Sequence, residues 1–381
     1  SAMKKGLLAL LALFFLSAPA AAEDLASALD QQLASLPLSD MENAWKNAFP
    51  SGTNLQDMLL KLARGEAVLD GETTLRTLFS SLMQTLSASL WRMAHLMMPA
   101  LLCSVMEKLK SSFSAAALGE ALTAACFLML SFVMARDLGD HLQLCKQNVD
   151  RMAEIMQTLF PLLLTLLAAV GSTASAAFFQ PATVAASGVM CAMVHRITLP
   201  LSMGAAVIGL MDQLSPKVRL TRLASLLRTL MNWTLGIGFT VFLSVTALQA
   251  LGGAAADGVS LRTAKYMVDH FVPVVGGMFA DTMDTLVGAS LLIKNAVGVT
   301  GLVLLLSTAA RPMLQTLCAA GIYRACAALL EPISDKRISA AIHHFSQSLM
   351  MFFVVQLSVS AMFLLLTAQM LVVGQLTVML R

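Results

Sequence analysis

The chain has 381 residues and a formal net charge of +3, with 57% hydrophobic and only 12% charged residues. Soluble domains carry about 25% charged residues, so this composition excludes an ordinary soluble protein. The small positive charge does not indicate nucleic-acid binding, because no basic stretch is interleaved with stacking aromatics. With two tyrosines and no long alternating segments, an outer-membrane barrel is disfavoured as well. These features predict an all-α, polytopic integral membrane protein.

Residues 1–22 have the pattern of a cloning remnant followed by a signal peptide. The first two residues precede the natural start, a basic pair stands at 4–5, and an apolar core covers 6–16. The core is too short to cross a bilayer comfortably, and three alanines end at Ala22 as a cleavage site requires. We expect cleavage after Ala22, the alternative being an uncleaved anchor. Either way, the next residues are expected outside the cytoplasm.

The stretch 23–85 differs from the rest of the chain. Between Glu23 and Leu82 it holds nine acidic and four basic residues, with short amphipathic patterns. Segments with few positive charges are typical of the exported side of a membrane. This stretch is too small and too weakly hydrophobic for an enzyme domain, so we expect a small helical docking or spacer module.

From residue 86 to residue 381 the pattern is that of a polytopic membrane domain. Long Leu-, Ala- and Met-rich runs predict roughly six to eight membrane helices, some of them broken or re-entrant. The candidate spans lie near 86–107, 113–135, 157–179, 182–214, 231–252, 273–310, 312–330 and 346–376.

The segment 217–233 has the pattern of a basic amphipathic helix. Arg219, Arg222 and Arg228 fall on one side of it and leucines on the other. Such a helix is suited to the headgroup region, and its charge favours the cytoplasmic face, where it would meet lipid or a cytoplasmic partner. A solvated connector is the alternative.

An exported Glu23 and a cytoplasmic Arg222 require an odd number of crossings between them. Four candidate spans lie there, so one of them must be re-entrant or interfacial. The segment 182–214 is the expected one, because Pro200 divides it and it also carries His195 and Arg196.

The candidate functional segment of the membrane domain lies between residues 262 and 306. A charge near the bilayer centre costs about 2.5–3.5 kcal/mol on insertion scales, so charges and helix breakers together indicate a packed or hydrated interior. One interpretation is a polar pathway for an ion or substrate, and the other is that the charges reach the interfaces or bond neighbouring helices. The residues concerned are Pro273, Gly276, Gly277, Asp281, Asp284 and Lys294.

Within this segment, Asp284 is a candidate partner of Lys294. A continuous helix would separate them by about 15 Å at the usual rise per residue. Direct pairing therefore requires the chain to reverse or another helix to intervene. A partner subunit is the other possible source of counter-charge.

The sequence carries no motif of an enzyme or of a cofactor site. It lacks a zinc-protease motif, a phosphate-binding loop and a nucleophile elbow. The six cysteines form no CxxC pair and are expected to be small buried hydrophobes. We expect no enzymatic activity, no metal and no cofactor. Any transport would then need a gradient or a partner ATPase.

Several segments resemble the stage III sporulation protein AE family. They are TAKYMVDHFVPVVGG at 263–277, ASLLIKNAVGVTGL at 289–302 and LEPISDKRI at 330–338, supported by RITLPL at 196–201. The layout of signal peptide, modest exported segment and polytopic body is similar too. The resemblance covers nearly the whole mature chain and is most specific in 262–338.

The resemblance implies a membrane component of the assembly that connects the mother cell with the developing forespore. The expected partners are other stage III sporulation A proteins, including a cytoplasmic ATPase, and indirectly a forespore membrane protein. The expected location is the mother-cell membrane around the forespore, with an exported N-terminal segment. The family offers no catalytic residues to carry over. A permease that moves an ion or solute on its own is the alternative function.

Overall fold

The computed structural model describes residues 38–49, 54–64, 83, 87, 97–106, 116–214, 220–271, 276–332 and 336–379. Every regular element in these ranges is a helix, which confirms the predicted all-α class. The predicted signal peptide at 1–22 and much of the predicted exported stretch lie outside the described residues.

Two short helices come first in the described chain, α1 (Ser39–Ala48) and α2 (Leu55–Ala63). The long helices are α3 (Ala116–Ala169), α4 (Thr173–Met193), α5 (Leu199–Leu214), α6 (Thr221–Phe271), α7 (Gly276–Leu330) and α8 (Lys336–Met379). A π-helical turn, Val194–Thr198, joins α4 to α5.

The helix α3 joins two segments that were predicted as separate spans. It contains most of the candidate 113–135 and continues through Pro161 to Ala169. There Gly171 takes a φ of 94°, a left-handed conformation that favours glycine, and the chain turns. The predicted span 157–179 is therefore wrong in its bounds, because the turn at Gly171 divides it.

One long hairpin is formed by α4 and α5 running antiparallel to α6. Ser175 meets Gly253 near one end, Met193 packs on Gly238 in the middle, and Leu227 lies beside Gly204 towards the other end. The segment therefore crosses the bundle in one direction. The predicted re-entrant fold of 182–214 is wrong, because the π turn before Pro200 absorbs the missing backbone donor without reversing the chain.

The second long hairpin pairs α7 with α8. Near its turn Ser339 Oγ donates to Ala327 O at 3.0 Å, and at the far end Lys294 Nζ donates to Leu371 O at 2.9 Å. The helix α3 lies against both members of this hairpin. It runs antiparallel to α7 and parallel to α8.

The centre of the bundle is formed by α3, α7 and α8. In the most apolar window of these helices, 56%, 61% and 56% of the residues are buried. The corresponding values are 25% for the α4–α5 segment and 17% for α6. Among the described helices, α6 thus leaves the largest share of its most apolar window exposed.

Five helical segments among the described residues are long and apolar enough to cross a membrane, which confirms the polytopic class. The predicted total of six to eight refers to the whole chain and stays a prediction. The candidate span near 86–107 overlaps a short apolar helix at Met97–Met106. The five segments are Ala124–Ala169, Thr173–Asp212, Thr221–Asp257, Val287–Leu330 and Arg337–Val373.

The short helices α1 and α2 pack against the long helices rather than standing apart from them. Both contact α7, and α1 also contacts α3. Each buries an apolar face, with Met41 and Trp45 on α1 and Leu55 and Leu59 on α2. The described part of the predicted exported stretch is therefore continuous with the membrane bundle.

Candidate functional site in the membrane bundle

Lys294 lies in the first half of α7 with no solvent exposure. Its only hydrogen bond among the described residues joins Nζ to Leu371 O on α8. No acidic side chain in the described ranges comes within ion-pair distance of it. A lysine amine removed from water for one backbone acceptor is costly, and in membrane proteins such residues are most often functional.

A glycine on the same face of α7 makes room for this contact. A Cβ placed on Gly298 would lie 2.2 Å from a methyl carbon of Leu371. Gly298 is one helical turn from Lys294, so its missing side chain lets α8 approach closely enough for the Leu371 carbonyl to reach the amine. Gly301 allows a similar close approach on a neighbouring face of α7. A Cβ placed there would lie 2.4 Å from a methyl carbon of Leu159 on α3.

The other residues predicted for this segment are placed only in part. α6 ends at Phe271 and α7 begins at Gly276, so the chain breaks where Pro273 was expected to break it, although Pro273 itself lies outside the described residues. Gly276 and Gly277 form the first turn of α7. The side chains of Asp281 and Asp284 lie outside the described part of the chain.

Helix continuity decides whether Lys294 can pair directly with Asp284. α7 is unbroken from Gly276 to Leu330, so the two residues stand about 15 Å apart along its axis. Neither reversal of the chain nor a shared turn brings them together. Direct pairing within this chain would need another helix to intervene, and the observed partner of the amine is the backbone of α8.

A buried polar row between α3, α7 and α8 was not predicted. Asn148 Nδ2 donates to Gln356 Oε1 at 3.4 Å, and Gln356 Nε2 donates to Thr316 Oγ1 at 3.1 Å. All three side chains are buried. One amide thus connects three helices, which is how polar groups join helices in a membrane. The sequence signal that could have indicated this row is Gln356, a polar residue within the apolar run 349–373.

The polar row continues towards both ends of the central helices. Tyr323 donates from its hydroxyl to Asp137 Oδ2, which joins α7 to α3. One turn from Asp137, His141 is buried on the same side of α3. In the other direction, Ser360 Oγ lies 3.2 Å from Met152 Sδ. Buried polar contacts therefore follow the central helices from Ser360, on the Lys294 side, to Tyr323 near the α7–α8 turn.

A second unpredicted contact holds the outer hairpin together. Asp257 of α6 is fully buried and accepts hydrogen bonds from the backbone amides of Ala174, at 2.8 Å, and Ser175. These amides belong to the first turn of α4, where backbone donors have no partner within the helix. Asp257 thus caps the N-terminus of α4, where a negative charge is favourable because the helix dipole has its positive end there.

The predicted basic face divides into different environments. α6 begins at Thr221 and continues far past residue 233, so a separate surface helix at 217–233 is wrong. Arg222 is exposed, as a headgroup-facing residue should be, and Arg219 lies outside the described residues. Arg228 is half-buried and donates from Nη1 to Gln347 Oε1 of α8. It belongs to a contact between helices, so a free lipid-facing position is wrong for this residue.

The described residues include no group of three or more His, Cys, Asp or Glu side chains arranged to hold a metal ion. None of the described cysteines forms a disulfide with another described cysteine. Among the described residues, the geometry therefore offers polar contacts between helices and the buried amine of Lys294.

Comparison with known proteins decides the family. The model of the family described as stage III sporulation protein AE matches residues 53–374. The chain belongs to this family. A curated relative, the stage III sporulation protein AE of Bacillus subtilis (strain 168), is 29% identical over 323 residues, covering 85% of this chain and 81% of the relative. No solved structure matches.

This match confirms the resemblance inferred from 263–277, 289–302 and 330–338. The matched range contains α2, all five apolar helical segments, the Lys294 contact and the polar row. A membrane protein with a role in sporulation is therefore supported.

Proposed function

We propose that this chain is a membrane subunit of the sporulation-specific secretion or channel complex that connects mother cell and forespore. The observation that carries the proposal is the family match, which spans the whole described membrane bundle. The stage III sporulation A proteins, including a cytoplasmic ATPase, are the proposed partners, with a forespore membrane protein as an indirect one. No enzymatic activity is assigned to the chain.

We further propose that the end of the bundle where α6 begins faces the cytoplasm. Four arginines stand at this end among the described residues, on α6, α7 and α8: Arg222, Arg228, Arg324 and Arg337. Short cytoplasmic loops and helix ends carry an excess of Lys and Arg. This orientation supports the proposed location, in which a cytoplasmic ATPase could reach Arg222. A cysteine at Ser225 that reacts only with reagent added from outside would contradict it.

The complex is tested by copurification from sporulating cells. An affinity-tagged chain should retain the other stage III sporulation A proteins after detergent extraction, and deletion of the chain should stop forespore development. A tagged polytopic membrane protein of unrelated function, extracted in parallel, is the control. Recovery of the tagged chain alone under mild extraction, together with normal sporulation of the deletion strain, would overturn the proposal.

A permease acting on its own is the second candidate. The fully buried Lys294 and the polar row favour it, since ionisable groups inside a membrane bundle mark many translocation paths. Purified chain in liposomes distinguishes the two functions. Movement of ions or solutes by the chain alone supports the permease, whereas no transport alone and loss of complex assembly on deletion support the subunit.

A further inference from the structure

The outer face of α3 is polar over a length that exceeds a bilayer. Six charged residues on it are exposed: Arg136, Asp140, Lys146, Asp150, Arg151 and Glu154. At about 100° per residue they fall within one side of the helix, and exposed Gln143, Gln147, Gln157 and Thr165 continue the same side. From residue 136 to residue 165 this polar face is about 44 Å long, against about 30 Å for the hydrocarbon core.

The polar face stands at the same depth as an apolar surface elsewhere on the bundle. Asp150 Oδ1 lies 2.9 Å from His195 Nε2 in the π turn, and just before that turn Met193 packs on Gly238 of α6. Around Gly238, α6 exposes Ile237 and Val241, each by 56%. At one level, then, the bundle shows charges on the α3 side and aliphatic side chains on the α6 side.

No single position of a bilayer suits both faces. If lipid surrounds the bundle at this level, it meets charged side chains, which are costly near the bilayer centre. If water surrounds it, the apolar surface of α6 is exposed instead. The conflict disappears when lipid covers α6 while water or another polar protein face covers α3.

The charges of the polar face suit a second copy of the same face. Three are positive and three negative, so the face has no net charge. Among the described residues, only Asp150 of these six has an ion-pair contact, and its partner is His195. An isologous interface requires a self-complementary surface. Copies in one membrane share an orientation, so residues at similar depth face each other, and Asp150, Arg151 and Glu154 place opposite charges within about one helical turn. A strongly acidic or basic partner would find no matching excess here.

We infer that copies of this chain associate through the polar face of α3, enclosing a hydrated space between them within the membrane. The inference follows from the distribution of charge on the bundle and is independent of the proposed role in sporulation. Charged residues inside membranes face such water-filled spaces or one another.

Single cysteines test the water exposure. In the full-length chain with its native cysteines replaced, Gln147→Cys and Gln157→Cys report on the polar face, and Ile237→Cys and Val241→Cys are controls at a similar depth. In liposomes, a membrane-impermeant maleimide should label the α3 positions at least tenfold faster than the α6 positions. Equal, slow labelling of all four would overturn the inference, since the polar face would then be covered.

Oxidative cross-linking of the same variants tests the contact between copies. Purified protein in liposomes should give covalent dimers through Gln147→Cys or Gln157→Cys and not through Ile237→Cys. The absence of dimers from both α3 positions would overturn the inference, even if these positions are labelled, because water alone does not require a second copy.

A variant that keeps the native cysteines covers the case in which the cysteine-free chain fails to fold. Arg151→Glu makes the face acidic and should shift the protein from dimers or larger assemblies to monomers in nanodiscs, measured by mass photometry. The charge exchange Arg151→Glu with Glu154→Arg should restore association. An unchanged mass distribution in Arg151→Glu, with the same unfolding temperature as the parent, would overturn the inference.

Discussion

Lys294 donates a hydrogen bond to the backbone carbonyl of Leu371, across the hairpin of α7 and α8. This carbonyl lies within α8, where it already accepts a backbone hydrogen bond of the helix. The lysine therefore adds a second bond to one acceptor. The amine is thus buried without a counter-charge among the described residues. A buried amine without a counter-charge is costly, and in membrane proteins such groups are most often functional.

Two substitutions separate the lysine's amine from its aliphatic stem. Lys294→Ala should lower the free energy of unfolding by about 2–5 kcal/mol, because it leaves a cavity between α7 and α8. Lys294→Met keeps a chain of similar length and should be neutral or stabilising, since no amine must leave water. Thermal unfolding of the purified protein in detergent measures both effects. Equal destabilisation by the two variants would show that the amine itself holds the helices together.

The functional part of the same prediction uses sporulation efficiency at matched membrane levels of protein. Lys294→Met should reduce sporulation although the protein is stable and inserted. Normal sporulation of this variant would remove the amine from the mechanism and leave Lys294 as a packing residue.

A double-mutant cycle tests the separation of Lys294 and Asp284. Because α7 is continuous, their separation is about 15 Å along the axis, so the two changes should be independent. The cost of Lys294→Ala with Asp284→Ala should equal the sum of the single costs within about 0.5 kcal/mol. Unfolding free energies of the two singles and the double measure this. Recovery in the double variant would mean that the residues pair, either between copies or through a bent helix.

The sequence could predict that Lys294 matters but not what it contacts. A charge in an apolar run is energetically costly in a membrane, which predicts that the residue lies in a polar or packed interior. Its acceptor is a main-chain oxygen 77 residues away, and any residue type would supply that oxygen. The close approach depends on Gly298, whose purpose becomes visible only when Leu371 is known to lie over it.

Other differences have equally local causes. Gly171 and Ser172 are a helix stop and start signal, but the continuous apolar run 157–179 outweighed it in the sequence-based prediction. The π turn before Pro200 kept the chain going where the proline indicated a break. Arg228 could not be told from Arg222 by helical position alone, because its partner Gln347 comes from a distant helix.

Gly252 and Gly253 are adjacent on α6 and provide a matched pair of substitution sites. A Cβ on Gly253 would lie 2.9 Å from the backbone of Ser175, whereas a Cβ on Gly252 has nothing within 4 Å. Gly253→Ala should therefore cost about 1–3 kcal/mol by forcing α4 away from α6. Gly252→Ala should be neutral or stabilising by up to about 1 kcal/mol, since alanine favours a helix. Unfolding temperatures in detergent compare them, and equal effects would contradict the close contact of α4 and α6.

The two described arginines of the predicted basic face should respond differently to removal. Arg228→Ala breaks the hydrogen bond to Gln347 and leaves that side chain without its donor, so a loss of about 1–3 kcal/mol is expected. Arg222→Ala removes an exposed charge and should change stability by no more than about 0.5 kcal/mol. Chemical unfolding in detergent measures the stability of both.

Binding to anionic liposomes supplies the second comparison for these arginines. Arg222→Ala should weaken binding, and the difference from the parent should shrink at high salt because exposed charges are screened. Arg228→Ala should leave this binding closer to that of the parent. If Arg222→Ala destabilises the fold and Arg228→Ala does not, the assignment of the two environments is reversed.

Gln356 should be the residue of the polar row that is most sensitive to an apolar substitution. Gln356→Leu leaves the Asn148 amide without its acceptor and takes a donor from Thr316, so a loss of about 1–3 kcal/mol is expected. Gln356→Leu with Asn148→Leu removes both amides and should recover much of this loss, because no buried amide then lacks its partner. Unfolding free energies in detergent measure both variants.

A glutamine on the same helix supplies the control for this substitution. The Gln369 carbonyl oxygen is buried and finds no hydrogen-bond donor among the described residues. Gln369→Leu should therefore be neutral or stabilising in the same unfolding experiment, since it removes an unsatisfied group. If Gln356→Leu is as harmless as Gln369→Leu, the row contributes no net stability. If the double variant is no better than Gln356→Leu alone, the loss comes from packing rather than from the amide of Asn148.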